Sequence, residues 1–417
     1  MHNTFIELDI HTGEQWYFNP RTCKLFHTKE DITEEDGKYT IPENRNRPLL
    51  IKHSQPSVIK FYLGSACNYR CSYCRQWEHS KLEHLTDDEI DQAVSRITNL
   101  VNKHTHPSQV TVQWWGGEPL LYIEDIKKIY NKLPKGTKQQ FTSNGSLLTD
   151  DIVNWMIANH SSFVLSHDGP GQHLRGTDPY KNEMFCQLVN RLNDNKTDRF
   201  QFMISTILTE NNYDICEIYK YHQSKFSNPI IMTKIEMVIP YHDKANVSST
   251  ALSHDINITE KLYRSFIQLD KEDLLMNIKS MDEDLREFLS YHTDVDYCID
   301  MCDIKCGTAS EQSVCMDRHG SIYPCQVYGD TDIIIGKFTD TSYTFTNTNL
   351  PRTMWNTVGC NCKDCPVVSL CRGVCPWLED KFVKTNCINK YTVYTAIFKY
   401  IFYKIGYEIS DMRQIEL

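Results

Sequence analysis

The stretch "SVIKFYLGSACNYRCSYC", Ser57 to Cys74, decides how the rest of the chain is read. Its first eight residues, rich in β-branched and aromatic types, predict a strand. Cys67, Cys71 and Cys74 follow at once, and no fourth cysteine completes the set. A structural zinc site takes four ligands, and each of the four irons of a cuboidal iron–sulfur cluster wants one outside ligand. Three thiolates on one tight loop therefore leave one iron with open coordination sites, where chemistry can occur. A zinc knuckle and a Cys-x-x-Cys redox pair built on "CSYC" compete for the triplet taken by itself.

Outward from this stretch the chain alternates. "LTDDEIDQAVSRITNLVNKH" has Thr86 as a cap and Ile90, Val94 and Ile97 at helical spacing. Strands then read at "QVTVQWW", "KQQFTSN", "SFVLSHDG", "FQFMISTIL" and "PIIMTKIEMVIP", with helices between them. Serial βα units predict a parallel sheet. Six strands with five intervening helices predict an α/β fold, a partial (β/α)6 TIM-like barrel, open rather than closed. The expected divisions are a small N-terminal β-rich cap over 1–57, the barrel over 58–240, a helical linker over 241–297, a cysteine-rich iron–sulfur domain over 298–390, and a C-terminal helix over 391–417. No repeat of solenoid length is evident.

The 417 residues are 40% hydrophobic and 24% charged, ordinary for a globular protein. A net charge of −10 gives no general attraction to nucleic acid or anionic lipid. The N-terminus lacks the basic head and apolar run of a signal peptide, so a cytoplasmic location is expected. The most apolar stretch, from Tyr391, carries Lys399 and Lys404 and is shorter than the ~20 apolar residues a membrane helix needs. It predicts an amphipathic helix covering a domain face. Of 17 cysteines, three lie between Cys67 and Cys74 and eleven between Cys298 and Cys387. Such clustering in a reducing compartment points to metal or redox chemistry.

Four further segments fall one per strand, each at the carboxyl end where parallel sheets and barrels place active sites. They are "WWGGEPLL" with Gly116, Gly117, Glu118 and Pro119; "TSNG" with Asn144; "SHDGP" with Ser166 and Asp168, followed by His173 and Arg175; and "ISTIL" from Ile204. Singly, each reads as an ordinary turn. In this order, with the triplet, they resemble the radical S-adenosylmethionine (radical SAM) superfamily. The resemblance implies a [4Fe-4S] cluster on Cys67, Cys71 and Cys74 whose open iron chelates S-adenosylmethionine. It implies that Gly116, Gly117 and Pro119 border the cofactor, that Glu118 accepts from its ammonium and that Arg175 pairs with its carboxylate. Ser166 and Asp168 would face the ribose and nearby polar atoms, Asn144 would lie beside the cofactor, and Tyr73 would lie against the adenine. Without a Cβ at 116 and 117, backbone can approach closely, and the partner expected there is the cofactor.

The C-terminal spacing, Cys306, Gly320 and Cys325, then Cys362, Cys365, Cys371, Cys375 and Cys387, resembles the seven-cysteine SPASM domain of radical SAM enzymes that modify peptides and proteins. That resemblance implies two auxiliary [4Fe-4S] clusters. One would use Cys362, Cys365, Cys371 and Cys387. The other would use Cys306, Cys325 and Cys375 with an upstream fourth ligand, Cys302 or Cys298, or an open site. Cys315 and Cys360 have no place in the motif and read as small buried hydrophobes. A zinc ribbon on "CKDC" and "CRGVC" is the competing reading, and with it a non-enzymatic binding module.

The activity implied is reductive cleavage of S-adenosylmethionine to a 5′-deoxyadenosyl radical that oxidises or cross-links a residue in a peptide or protein. An electron donor such as flavodoxin or ferredoxin is implied as well. Anaerobic sulfatase maturases resemble one another in carrying an aspartate after the cysteine of "YPC". Here Gln326 stands at that place, and an amide takes no proton at neutral pH. Maturation of a ribosomally made peptide is therefore the preferred expectation, with sulfatase maturation as the alternative. The first 57 residues read as a structural cap rather than a leader-binding element.

Overall fold

The computed structural model describes residues 4–20, 23–33, 36, 55–74, 76, 81–239, 250–281, 312–328, 333–339, 342–346, 362, 365–375 and 377–416. At the N-terminus, β1 (Thr4–Ile10), β2 (Gln15–Phe18) and β3 (Leu25–Phe26) form an antiparallel meander. The alternating region then runs β4 (Val58–Tyr62), α1 (Asp87–Val101), β5 (Thr111–Trp115), α2 (Ile123–Lys132), β6 (Lys138–Ser143) and α3 (Asp150–Ala158). It continues with β7 (Ser162–Ser166), α4 (Glu183–Asp194), β8 (Phe202–Leu208), α5 (Ile215–Gln223) and β9 (Met232–Met237). Thr86 caps α1 in a reciprocal box with Glu89, as its sequence predicts.

Strands β4 to β9 pair in chain order and all in parallel. The sheet extends beyond β4 through β10 (Ser313–Asp317), β11 (Ser321–Tyr323), β12 (Gly336–Phe338) and β13 (Tyr343–Phe345). Its order, β13-β12-β11-β10-β4-β5-β6-β7-β8-β9, has two ends, so the barrel is open as expected. The strands of the cysteine-rich region thus continue the barrel sheet, with Met316 and Ile322 in the same core as the barrel helices.

One row of large side chains fixes the barrel register. Phe61 lies opposite Trp114, Trp114 opposite Phe141, Phe141 opposite Phe163, and Phe163 opposite Phe202. All five are fully buried on the face covered by the helices. Because side chains alternate along a strand, a one-residue slip would turn such a ring to the other face, which makes slippage costly. The alternate row, with Lys60, Gln113 and Gln140 in register, lies on the opposite face of the same strands.

Beyond the barrel, α6 (Ile256–Lys271) packs on α5, and α7 (Val368–Cys371) precedes α8 (Asp380–Lys404). The helix expected from Tyr391 begins at Asp380 and carries Cys387. Its lysines explain why an apolar helix stays on the domain: Lys399 pairs with Glu260 at 3.1 Å and Lys404 with Asp270 at 3.0 Å, both on α6. Among the described residues, no helix is long and apolar enough to cross a membrane. After Gly406, whose φ is +97°, the chain turns into β14 (Ile409–Glu416), where helix alone was expected. β14 pairs with β1, so the cap is a four-stranded sheet, β14-β1-β2-β3, built from both ends of the described chain.

Candidate active site at the carboxyl ends of the barrel strands

The loop after β4 is held from beneath by the turn after β5. Gly117 N–H donates to the Gly64 carbonyl at 2.9 Å and Glu118 N–H to the Ala66 carbonyl at 2.8 Å. A Cβ on Gly116 would lie 2.5 Å from the Gly64 oxygen, and one on Gly117 would lie 2.2 Å from the Ala66 oxygen and 2.5 Å from that of Ser65. These glycines permit the close approach of the cysteine loop's own backbone.

Glu118 is buried and ties three segments together. Its Oε1 accepts from Leu120 N–H at 2.9 Å and Ser143 O–H at 2.7 Å, and its Oε2 from Asn144 N–H at 2.9 Å. Burial pushes its carboxyl above the usual range. A carboxylate has about four acceptor positions, so one remains for an external donor. Pro119 opens the short turn that Glu118 caps. Asn144 reaches back to the cysteine loop, donating to Asn68 Oδ1 at 2.9 Å.

From the far side the loop meets the segment after β7. Ser72 N–H donates to the Leu174 carbonyl at 2.8 Å and Tyr69 O–H to the Thr177 carbonyl at 2.8 Å. Tyr73 O–H donates to Asp168 Oδ2, and Arg175 donates to Tyr73 Oη at 3.0 Å and to Asp168 Oδ1 at 3.2 Å. Tyr73, Asp168 and Arg175, expected to touch different parts of one cofactor, are here bonded to one another. Burial lifts the Tyr73 phenol well above its ordinary pKa. Ser166 ends β7 half-buried, in register with Ser205.

Cys67, Cys71 and Cys74 are half-buried. Burial pushes the Cys67 thiol up to about 12 and that of Cys71 to about 11, and raises Cys74 too. Thiols so shifted stay protonated at neutral pH unless a metal takes their place beside the sulfur. Among the described residues, no three His, Cys, Asp or Glu side chains converge tightly enough to close on a single ion. A cuboidal cluster asks for something else, because each thiolate binds a different iron.

A second network lies beneath this loop, and sequence reading passed over it. His167 Nδ1 accepts from Gly169 N–H at 2.9 Å, so its proton sits on Nε2, 3.0 Å from Asp178 Oδ1. Asp178 also accepts from Tyr180 N–H and Tyr221 O–H. Burial opposes its charge, but the bond from His167 and those from the two tyrosine residues outweigh it and hold the carboxyl at about 2. His222, fully buried, is 3.2 Å from both the Tyr180 hydroxyl and the Thr206 hydroxyl. The signal available was the His inside "SHDGP".

The C-terminal cysteines form two groups. Cys362 and Cys365 each lie near Cys371 and near Cys387 of α8. Burial, then the neighbouring thiols, pushes Cys362 to about 12 and raises Cys365 further. Cys325 and Cys375 pack in one cluster with Tyr323, Trp377 and Cys315. Cys302 and Cys306, with the alternative Cys298, lie outside the described residues, as does Cys360. A cavity of about 400 Å³ lined by Lys138, His160 and Arg199 opens at the other end of the strands and shares no residue with this site.

Residues 61–222 match the model of the radical SAM superfamily. This region of the chain thus carries a radical SAM domain. A similar relative is an S-adenosylmethionine-dependent nucleotide dehydratase of Psychrobacter lutiphocae, 30% identical over 120 residues, which are 27% of this chain and 40% of the relative. Another is a GTP 3′,8-cyclase of Clostridium perfringens, 26% identical over 195 residues, 43% of this chain and 55% of the relative. The chain thus spans about half the length of these curated relatives. Native anSMEcpe with bound AdoMet and Cp18Cys peptide shares the fold, with a TM-score of 0.61, 19% identity and coverage of 84% of this chain and 98% of that one. Native anSMEcpe with bound AdoMet gives 0.58 and 20%, over the same shares.

Proposed function

We propose that this chain cleaves S-adenosylmethionine reductively at a [4Fe-4S] cluster held by Cys67, Cys71 and Cys74, and uses the radical to oxidise or cross-link a residue of a peptide or protein. The observation that carries the reading is the cysteine loop itself: it sits at the carboxyl end of β4, clamped by Gly117 and Glu118 below and by Tyr73, Asp168 and Arg175 above. The residues fit the group. Ser72 Oγ, Gln76 Nε2 and Arg175 Nε are buried in or against this loop without a hydrogen-bond partner. Buried polar groups are normally satisfied, so such a set suits a ligand rich in polar atoms.

When bound, the cluster and S-adenosylmethionine supply the electron transfer and the carbon–sulfur bond cleavage that generate the 5′-deoxyadenosyl radical. The chain's own residues bind and orient. Glu118 has acceptor capacity left for an ammonium and Arg175 an unpartnered Nε–H for a carboxylate; the reading assigns Asp168 and Ser166 to the ribose hydroxyls and Asn144, Gly116 and Pro119 to the border of the site. Tyr73 O–H holds the Asp168 carboxylate in place.

For the substrate, the fold match supports a peptide, since it extends over most of the chain and the matched structure holds AdoMet and a peptide. The reading takes residues 298–390 as a SPASM domain with two auxiliary clusters, on Cys362, Cys365, Cys371 and Cys387 and on Cys306, Cys325 and Cys375, with the barrel over 58–240. Gln326 accepts from Lys60 Nζ at 2.6 Å, a cation rather than a base beside it, which favours a ribosomal-peptide maturase over sulfatase maturation. The sequence matches to nucleotide-modifying relatives favour a second reading, action on a nucleotide.

Anaerobically reconstituted protein with reductant and S-adenosylmethionine should yield 5′-deoxyadenosine, and Cys71→Ala should abolish it. No product from the parent would overturn the proposal. Incubation with nucleoside triphosphates, against co-expression with a short peptide encoded beside the gene, separates the two substrate readings by which of them changes mass.

A further inference from the structure

We infer that His222, on α5, is a positioning residue for S-adenosylmethionine binding: through the Thr206 hydroxyl it fixes the end of β7 that presents Asp168. The inference rests on the reading above that Asp168 and Arg175 meet the cofactor. It goes beyond that reading, because His222 lies outside every strand-end segment and Thr206 has no role assigned within "ISTIL".

The ladder between β7 and β8 shows what has to be held. His167 N–H donates to the Ser205 carbonyl at 3.0 Å, just past the end of β7. In a regular parallel ladder the next bond would run from Ile207 N–H to the His167 carbonyl. Here Ile207 N–H donates instead to Asp168 Oδ1 at 3.1 Å, and the His167 carbonyl accepts from the Thr206 hydroxyl at 2.7 Å. Two side chains thus stand in for one backbone bond. The exchange seats the Asp168 carboxylate on β8, with Tyr73 and Arg175 as its remaining side-chain partners.

Thr206 makes its bond only with its hydrogen turned to His167, and His222 selects that orientation. A carbonyl can only accept, so the Thr206 O–H is the donor there, and its oxygen is left to accept from His222 Nε2–H, 3.2 Å away. Nδ1 of the same ring is then the acceptor, and the Tyr180 hydroxyl stands 3.2 Å from it as donor. Both nitrogens of a fully buried imidazole are used, in a single proton order that runs from Tyr180 through His222 and Thr206 to the His167 carbonyl. The peptide that links His167 to Asp168 is pinned further by the His167 ring on Asp178 and by Asn212 Nδ2, which donates to the Asp168 carbonyl at 2.8 Å. Removing the His222 donor frees the Thr206 hydroxyl to turn away, and the corner that aims Asp168 loses its fixed geometry.

The test is made on the full chain, anaerobically reconstituted, with S-adenosylmethionine binding read by equilibrium dialysis and stability by thermal melts. Thr206→Val keeps the shape and removes the hydroxyl, and should weaken binding roughly 5- to 10-fold, as should His222→Leu. Thr206→Ser keeps the hydroxyl and His222→Gln keeps an N–H near the Nε2 position, so both should bind as the parent does. In a chain already carrying Asp168→Asn, Thr206→Val should change binding by less than about twofold while lowering the melting temperature as it does in the parent. A merely structural bond would weaken binding by the same factor in both backgrounds, and that result would overturn the inference. So would unchanged binding in both Thr206→Val and His222→Leu, or binding in Thr206→Ser as weak as in Thr206→Val. Should Asp168→Asn itself leave the parent's affinity unchanged, the reading of Asp168 as a cofactor contact falls, and this inference with it.

Discussion

Gly117 and Gly64 are joined by a backbone hydrogen bond of 2.9 Å, and the space where a side chain on Gly117 would begin is filled by the carbonyl oxygens of Ser65 and Ala66. The turn after β5 is therefore the seat of the cysteine loop. Gly117→Ala must push that loop away, since the obstructing atoms are backbone. Overpacking of this kind costs about 1–3 kcal/mol. A lowered denaturation midpoint should accompany a loss of iron from the reconstituted protein, as the proposed cluster on Cys67, Cys71 and Cys74 requires. Both are read by a urea titration and an iron assay.

Glu118 and Asn144 make a similar joint. In Glu118→Gln the new amide N–H₂ must face either Leu120 N–H or Asn144 N–H, donor against donor. One buried N–H is left unmade at about 1–3 kcal/mol. Glu118→Ala should cost at least as much, because it strands two N–H groups and the Ser143 hydroxyl. Thermal melts of the two variants check the order.

Tyr73 orients Asp168 through its hydroxyl while Arg175 bridges the pair. Tyr73→Phe keeps the ring and removes that bond, worth about 1 kcal/mol in a buried setting. Binding of S-adenosylmethionine to the reconstituted protein, measured by equilibrium dialysis, should weaken by roughly 5- to 10-fold. Unchanged binding would show that the Asp168 carboxylate needs no such support.

His167 and His222 are held neutral by burial, His222 also by the nearby His167, so both titrate below the ordinary histidine range. As pH falls through about 6.5 the unfolded chain takes up protons that the folded chain refuses. Stability from this pair is thus fully present above that value and is lost on acidification below it. Asp178, held at about 2, acts in a separate window: its contribution is present above about pH 4 and lost as pH falls through 2. The denaturation midpoint should be flat between about pH 7 and 8 and fall below about 6.5, with a shallower fall in His222→Gln. Equal slopes would contradict the assignment.

The strand-and-helix order from β4 to β9 was readable because each unit announces itself locally, as with Thr86 and Glu89 at the start of α1. The positions of the cysteine loop, "GGEP", "SNG" and "SHDG" at strand ends were readable for the same reason. What Gly117 makes room for was not, since Ser65 and Ala66 lie some fifty residues away in sequence. Neither was the mutual bonding of Tyr73, Asp168 and Arg175, for single residues expected to reach a ligand can equally reach one another. The strand over Ile409–Glu416 was missed because its partner is β1, at the other end of the described chain.

By itself the amino-acid order determined the periodic elements and the local clustering of thiols, because hydrophobic spacing, caps and tight cysteine turns act over a few residues. The tertiary structure decided which thiols share a neighbourhood, which face of β10 Cys315 occupies beside Lys60, and which backbone fills the cradle under the first loop. Those outcomes depend on register between strands far apart in the chain, where one residue of shift exchanges a core position for the opposite face.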